Sequence, residues 1–255
     1  MKSITQTLAA SICAAAFMAA APMASAATVK VVYDGVSPGV SMNVDTNKTS
    51  ATKWVSTVAG QANLTVKPGG AGSSSLDGLG SILAWCVELT ESVVPTRSYT
   101  YTVVEGESLV DSWVNAVARL FTAHQSDLAG PNSNAAAAAM QMAIWQLVTG
   151  DTDNDVTGGN FKVKKSGATN ASDYRAAVKL ANSWLADLKN QTEVGWTIVK
   201  LVNVGANGRP GAQDLITFQQ IIPTPLPGAA LLFLSALGLG GLARRTSLEK
   251  ERAAT

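Results

Sequence analysis

Two apolar runs free of charge, one at each end of the chain, decide what is left to fold. The first, Leu8 to Ala21, follows Met1-Lys2 and precedes Ala24-Ser25-Ala26. A positive start, an apolar stretch and a small-residue cleavage position make a secretory signal peptide, expected over residues 1–26. The second run, Gly228 to Ala243, lies between Pro223-Thr224-Pro225-Leu226-Pro227 and Arg244-Arg245. It is expected to form a transmembrane helix over 228–243, shorter than the ~20 residues a spanning helix ordinarily needs. The arginine pair would hold its end, and a tail over 246–255, on the cytoplasmic side. The 47% hydrophobic content therefore overstates the apolar character of the body, residues 27–222, which reads as one globular domain able to bury a sizeable core.

Charge and cysteine count narrow the function. Lys+Arg 19 against Asp+Glu 18 leaves a net charge of +1, with no basic footprint for nucleic acid. A single histidine excludes a His-rich metal site, and no metal or cofactor is expected. Of the two cysteines, Cys13 leaves with the signal peptide. Cys86 remains alone in an exported protein and needs a role: inert buried thiol, intermolecular disulfide, nucleophile, or half of another crosslink. Lipidation is unsuited to it, because a lipoprotein cysteine directly follows the signal peptide.

The body reads as strands, then helices, then strands. Thr28 to Tyr33 and Tyr99 to Val104 alternate with period two, and Ser81 to Leu89 is an apolar strand carrying Cys86. Val66 to Ser75 is a loop by composition. From Asp111 the spacing turns helical. Trp113, Val117, Leu120, Phe121 and Leu128 share one face, with Asp111 or Ser112 as N-cap. A second helix runs from Asn132-Ser133-Asn134 through the alanines 135–139 to about Val148, with Gly150 as its stop. A third, from Ser172, has the stripe Tyr174, Ala177, Val178, Ala181, Trp184, Leu185 and Leu188. Trp196 to Val204 and Leu215 to Ile222 are β-branched and aromatic strands. The order predicts an α+β fold, a β-rich sandwich-like or barrel-like part with an inserted helical part.

Two stretches carry the chemistry: Ala84-Trp85-Cys86-Val87-Glu88 on a strand, and Met140-Gln141-Met142-Ala143-Ile144-Trp145 on the second helix. Together they resemble the thioester domain of bacterial surface adhesins, in which a cysteine sulfur and a glutamine side-chain carbonyl form an internal thioester with loss of ammonia. The resemblance covers about Ser81 to Asp151. Met140 stands where threonine is frequent in that family, and Glu88 where aspartate often follows. It implies a Cys86–Gln141 crosslink, with Trp85, Ile144 and Trp145 excluding water around it. Gln141 and Trp145, four apart on a helix, share a face. The implied function is covalent adhesion to an amine-bearing or hydroxyl-bearing target, without catalytic turnover.

Pro223 and Pro225, the short apolar helix, and Arg244 with Arg245 resemble the PEP-CTERM sorting signal of Gram-negative bacteria, with Thr224 where glutamate is usual. That resemblance implies processing by an exosortase, transient anchoring in the inner membrane, and delivery to the cell surface or an extracellular matrix rich in exopolysaccharide. The competing readings are a non-covalent biofilm or floc matrix protein and a secreted Cys-dependent hydrolase, for which His124 is the available base. The run Asp151-Thr152-Asp153-Asn154-Asp155 opens like a calcium loop. It has Val156 at the sixth position and Lys162 at the twelfth, which fails the rule and leaves a turn as the expectation.

Overall fold

The computed structural model describes residues 26–221, apart from 46–53, 73, 90, 107–108, 168, 193–194, 204 and 206–210. The expected signal peptide, the C-terminal residues Pro223, Pro225, Arg244 and Arg245, the helix at 228–243 and the tail at 246–255 lie outside the described residues. Among the described residues, no helix is long and apolar enough to cross a membrane.

The protein has a mixed α+β fold with one large antiparallel sheet and three α-helices. The strands are β1 (Thr28–Asp45), β2 (Trp54–Lys67), β3 (Ser81–Cys86), β4 (Ser98–Glu105), β5 (Lys162–Lys165), β6 (Trp196–Val202) and β7 (Leu215–Gln220). Between β4 and β6 the chain forms α1 (Val114–His124), α2 (Ser133–Thr149) and α3 (Ala171–Asp187), with β5 between the last two. Sheet order is β2-β3-β7-β6-β4-β1-β5, and a further β1–β2 pairing closes six of the strands on themselves. β5 attaches to the second half of β1.

β1 is long because its alternation changes phase rather than ending. Val29, Val31 and Tyr33 point into the core, all at odd positions; after the turn of sequence at Asp34-Gly35 the buried hydrophobic residues are Val40, Met42 and Val44, all even. Register shifts between Tyr33 and Gly35 and between Val36 and Gly39 mark the change. An irregularity of this kind inserts residues without breaking the ladder and re-aims the following side chains. The first half of β1 pairs with β4, and the second half with β5.

α2 is the buried element. Every residue from Ala135 to Gln146 is buried, and the helix packs on β1, β2 and α3. An amphipathic stripe is absent because no face meets water. The alanines make the helix thin, so strands and α3 approach it closely. Asn134 at its start accepts a hydrogen bond from the Gly39 amide at 3.3 Å, and Gly150 caps its end. α1 begins with Trp113 at the N-cap, where no side chain caps it, one residue beyond Ser112 and two beyond Asp111, the expected caps.

The close approach of β1 and β2 depends on Gly39 facing Gly60. A Cβ on Gly60 would lie 2.5 Å from Gly39 Cα and 2.9 Å from Val36 Cγ1, and would strike Pro38 O. Gly60→Ala is expected to lower stability by about 1–3 kcal/mol, the usual range for overpacking a tight site. Chemical denaturation monitored by tryptophan fluorescence checks it, and an unchanged midpoint would show that the strands separate freely there.

Candidate functional site

Cys86 ends β3 and Gln141 lies in the middle of α2, 55 residues further along the chain, and the fold joins them. The Cys86 backbone N–H donates to Gln141 Oε1 at 2.9 Å, and Gln141 Nε2 donates to the Cys86 carbonyl at 2.7 Å. One primary amide thus satisfies both backbone polar groups of one residue. Gln141 is 1% exposed and Cys86 is 8% exposed, so the pair sits out of bulk water. An amide in such a place is retained only when both its donor and its acceptor are paired.

Cys86 is a free thiol in the structure. Burial pushes it up to about 12, so the sulfur stays protonated at neutral pH. It lines a cavity of about 300 Å³ together with Tyr33, Val58, Leu89, Trp145 and Gln213. Tyr33 is also pushed up to about 12, first by burial and then by the neighbouring Cys86 and Tyr99, and remains a neutral phenol. The segment after Cys86 is fastened to the chain before β7. Val87 N–H donates to the Asp214 carbonyl, Asp214 N–H donates to Glu88 Oε2 at 3.0 Å, and the Gln213 side chain donates to the Glu88 carbonyl. Glu88, in the position where the sequence resemblance has an aspartate, therefore holds the backbone beyond the cysteine. Asp214 is pushed up by burial and by Glu88, against a backbone hydrogen bond from Asn203 and the pull of Lys200.

The remaining expected residues fall into two groups. Ile144 is fully buried in the core beside the pair on α2, and Trp145, 2% exposed, faces the Cys86 cavity. Its Nε1 is buried without a hydrogen-bond partner. Trp85 goes elsewhere. Successive side chains of a strand point to opposite faces, so Trp85 turns away from Cys86. It packs edge-on against Phe121 and Phe218 at 5.4 and 5.3 Å and lines a separate cavity of about 450 Å³. His124 stacks on Trp184 at 4.3 Å and pairs through Nδ1 with Asp127 at 3.3 Å; it lines neither cavity. Tyr33 and Gln213 were not singled out by the sequence, since only the closed sheet brings β1 and the chain before β7 to the end of β3. Compared with known protein families and with curated proteins, the chain matches no family model and no curated protein.

Chemically, the arrangement holds the Gln141 carboxamide against the backbone of the residue that bears the thiol, with the amide oxygen accepting and the amide nitrogen donating.

Two outcomes follow. Gln141→Leu leaves the buried Cys86 N–H and C=O unpaired, at about 1–3 kcal/mol for each group, and thermal melting should show the loss. Cys86, where it is a free thiol, is raised in the folded state, so its contribution is complete below the ordinary thiol value of 9.0 and is lost as pH rises toward about 12. Denaturation of reduced protein across that window should therefore show a steeper decline than Cys86→Ala, which keeps the loss from Tyr33 ionisation, and parallel curves would contradict the assignment.

Proposed function

We propose that this chain is an exported surface or extracellular-matrix protein in which Cys86 and Gln141 form an internal thioester, and that the bond attaches the protein covalently to a target bearing an amine or a hydroxyl. The observation that carries this reading is the pair of hydrogen bonds between the Gln141 amide and the backbone N–H and C=O of Cys86. A β-rich closed part with an inserted helical part, cysteine on the first and glutamine on the second, is the arrangement implied by the thioester-domain resemblance.

Cys86 Sγ attacks Gln141 Cδ, forming the S–C bond. The developing charge falls on Oε1, which already accepts from the Cys86 N–H. The C–Nε2 bond then breaks, the thiol proton passes to Nε2, and ammonia leaves. Because the buried sulfur is a thiol rather than a thiolate at neutral pH, its proton is available for that transfer. An incoming amine attacks the thioester carbonyl in the reverse sense. A new amide forms on Gln141, the S–C bond breaks, and Cys86 takes up the proton that the amine loses. Trp145 and the apolar walls of the cavity keep water from competing.

Delivery follows the terminal segments. The signal peptide at 1–26 exports the chain, and the PEP-CTERM-like signal holds it briefly in the inner membrane. An exosortase then releases it toward the surface or an exopolysaccharide-rich matrix of a Gram-negative bacterium.

Intact mass of the purified protein tests the bond. The expected mass is lower than the sequence mass by one ammonia, and Cys86→Ala and Gln141→Ala variants return to their full sequence masses. Methylamine should add to the wild type alone and release one thiol. A full sequence mass with Cys86 open to alkylation in the native state would sink the thioester reading and leave a non-covalent matrix protein.

A further inference from the structure

The turn after α2 gathers three carboxylates. Asp151, Asp153 and Asp155 fold back over Gly158 and Gly159. A Cβ on Gly159, whose φ is +68°, would strike Asp151 Oδ2 and lie 2.5 Å from Asp153 Oδ2. A Cβ on Gly158 would lie 3.3 Å from Asp155 Oδ2 and 3.5 Å from Asp153 Oδ2. One oxygen of each carboxylate therefore crowds the same glycine pair. Among the described residues, no Lys, Arg or His forms an ion pair with any of the three. Like charges this close repel unless a cation or proton intervenes.

A second observation comes from the helix beneath. Gln146, on α2, is 1% exposed, and its Nε2 donates to Asp153 Oδ1 at 2.7 Å. The carbonyl oxygen of the same amide, Oε1, is buried without a hydrogen-bond partner. A buried amide oxygen left unpaired is costly, and this one belongs to the amide whose nitrogen contacts the Asp153 carboxylate. It is the neutral oxygen donor that a hard cation accepts alongside carboxylates.

The geometry points to a calcium site formed by Asp151, Asp153 and the Gln146 side-chain oxygen, with Asp155 adding negative charge at its rim. Among the described residues, no three His, Cys, Asp or Glu side chains stand together as a metal-ligand group, so the site rests on two carboxylates completed by an amide oxygen and water. Calcium suits this set, because it takes six to eight oxygens in flexible geometry, whereas magnesium demands a near-ideal octahedron. Hydrogen bonds to the Asp oxygens fix the loop. Asp151 Oδ2, the oxygen against Gly159, accepts from the backbone N–H of Asn160 and of Phe161, Asp153 Oδ1 accepts from the Asp155 N–H as well as from Gln146, and Asp155 Oδ1 accepts from Thr157 and from Asn182 on α3. The sequence departs from the usual calcium loop at its sixth and twelfth positions. The fold supplies what is missing there: Gly158-Gly159 gives the tight approach, and Gln146 stands in for the distal glutamate.

Calorimetric titration of calcium chloride into chelator-treated full-length chain in detergent tests the site, with terbium luminescence excited through the tryptophans as a second readout. One saturable ion per chain is expected, in the ~10⁻⁴–10⁻³ M range of extracellular calcium modules. Asp153→Asn and Gln146→Leu should each weaken it by at least about tenfold, while Asp127→Asn leaves it unchanged, with near-ultraviolet circular dichroism confirming that the variants are folded. Absence of saturable binding by wild type at ~10 mM calcium, or folded Asp153→Asn and Gln146→Leu variants that bind like wild type, would overturn the proposal. The measurement is independent of the state of Cys86, so its failure leaves the thioester question untouched.

Discussion

A carboxamide buried in an alanine-rich helix has to find both a hydrogen-bond donor and an acceptor, and Gln141 finds both on a single residue of a distant strand. That clasp sets the position of α2 against β3 more tightly than apolar contact alone, because apolar contact is non-directional and a paired amide is not. The rest of the architecture serves the approach. The alanines of α2 let the helix enter between the sheet and α3, the Gly39–Gly60 contact lets β1 and β2 close beside it, and the links from Glu88 to Gln213 and Asp214 stop the end of β3 from fraying. Each is a choice of small or polar residue that would be poor on its own and is consistent only in this fold.

The chemistry proposed for the pair draws on the same restraint. Burial alone makes Cys86 an unreactive thiol. Reaction with Gln141 requires no free thiolate if the amide is held in place with its oxygen hydrogen-bonded and its nitrogen ready to receive a proton. The protein would then trade general nucleophilicity for a single intramolecular partner, which is what a surface protein exposed to varied electrophiles requires.

Much of this was legible in the residues. Period-two spacing located the start of β1 and β4, β-branched and aromatic composition located β6 and β7, helix formers and helical spacing located α2 and α3, and the stretches around Cys86 and Gln141 stood out as a motif. Other features were hidden for physical reasons. The second half of β1 was lost because its alternation changes parity at Asp34-Gly35, so a single period cannot describe it. β2 escaped notice because Ala59-Gly60-Gln61-Ala62 is buried without being strongly apolar, a pattern that only close strand packing explains. Trp85 was grouped with its neighbour Cys86, although adjacent residues on a strand face opposite ways. The unpaired oxygen of Gln146 has no sequence signature at all, since it depends on where the following turn folds back.

Closure of six strands leaves β5 as the strand paired on a single side among those described, and it reads Lys162-Val163-Lys164-Lys165. An open sheet edge is a template for a further strand from another molecule. Here that edge is four residues long and three of them are lysines, with Lys164 lying over the Trp54 ring at 4.1 Å. Copies of the protein crowded together would meet positive charge where strand addition might otherwise begin, so the sheet resists fibrous self-association at its one unguarded border.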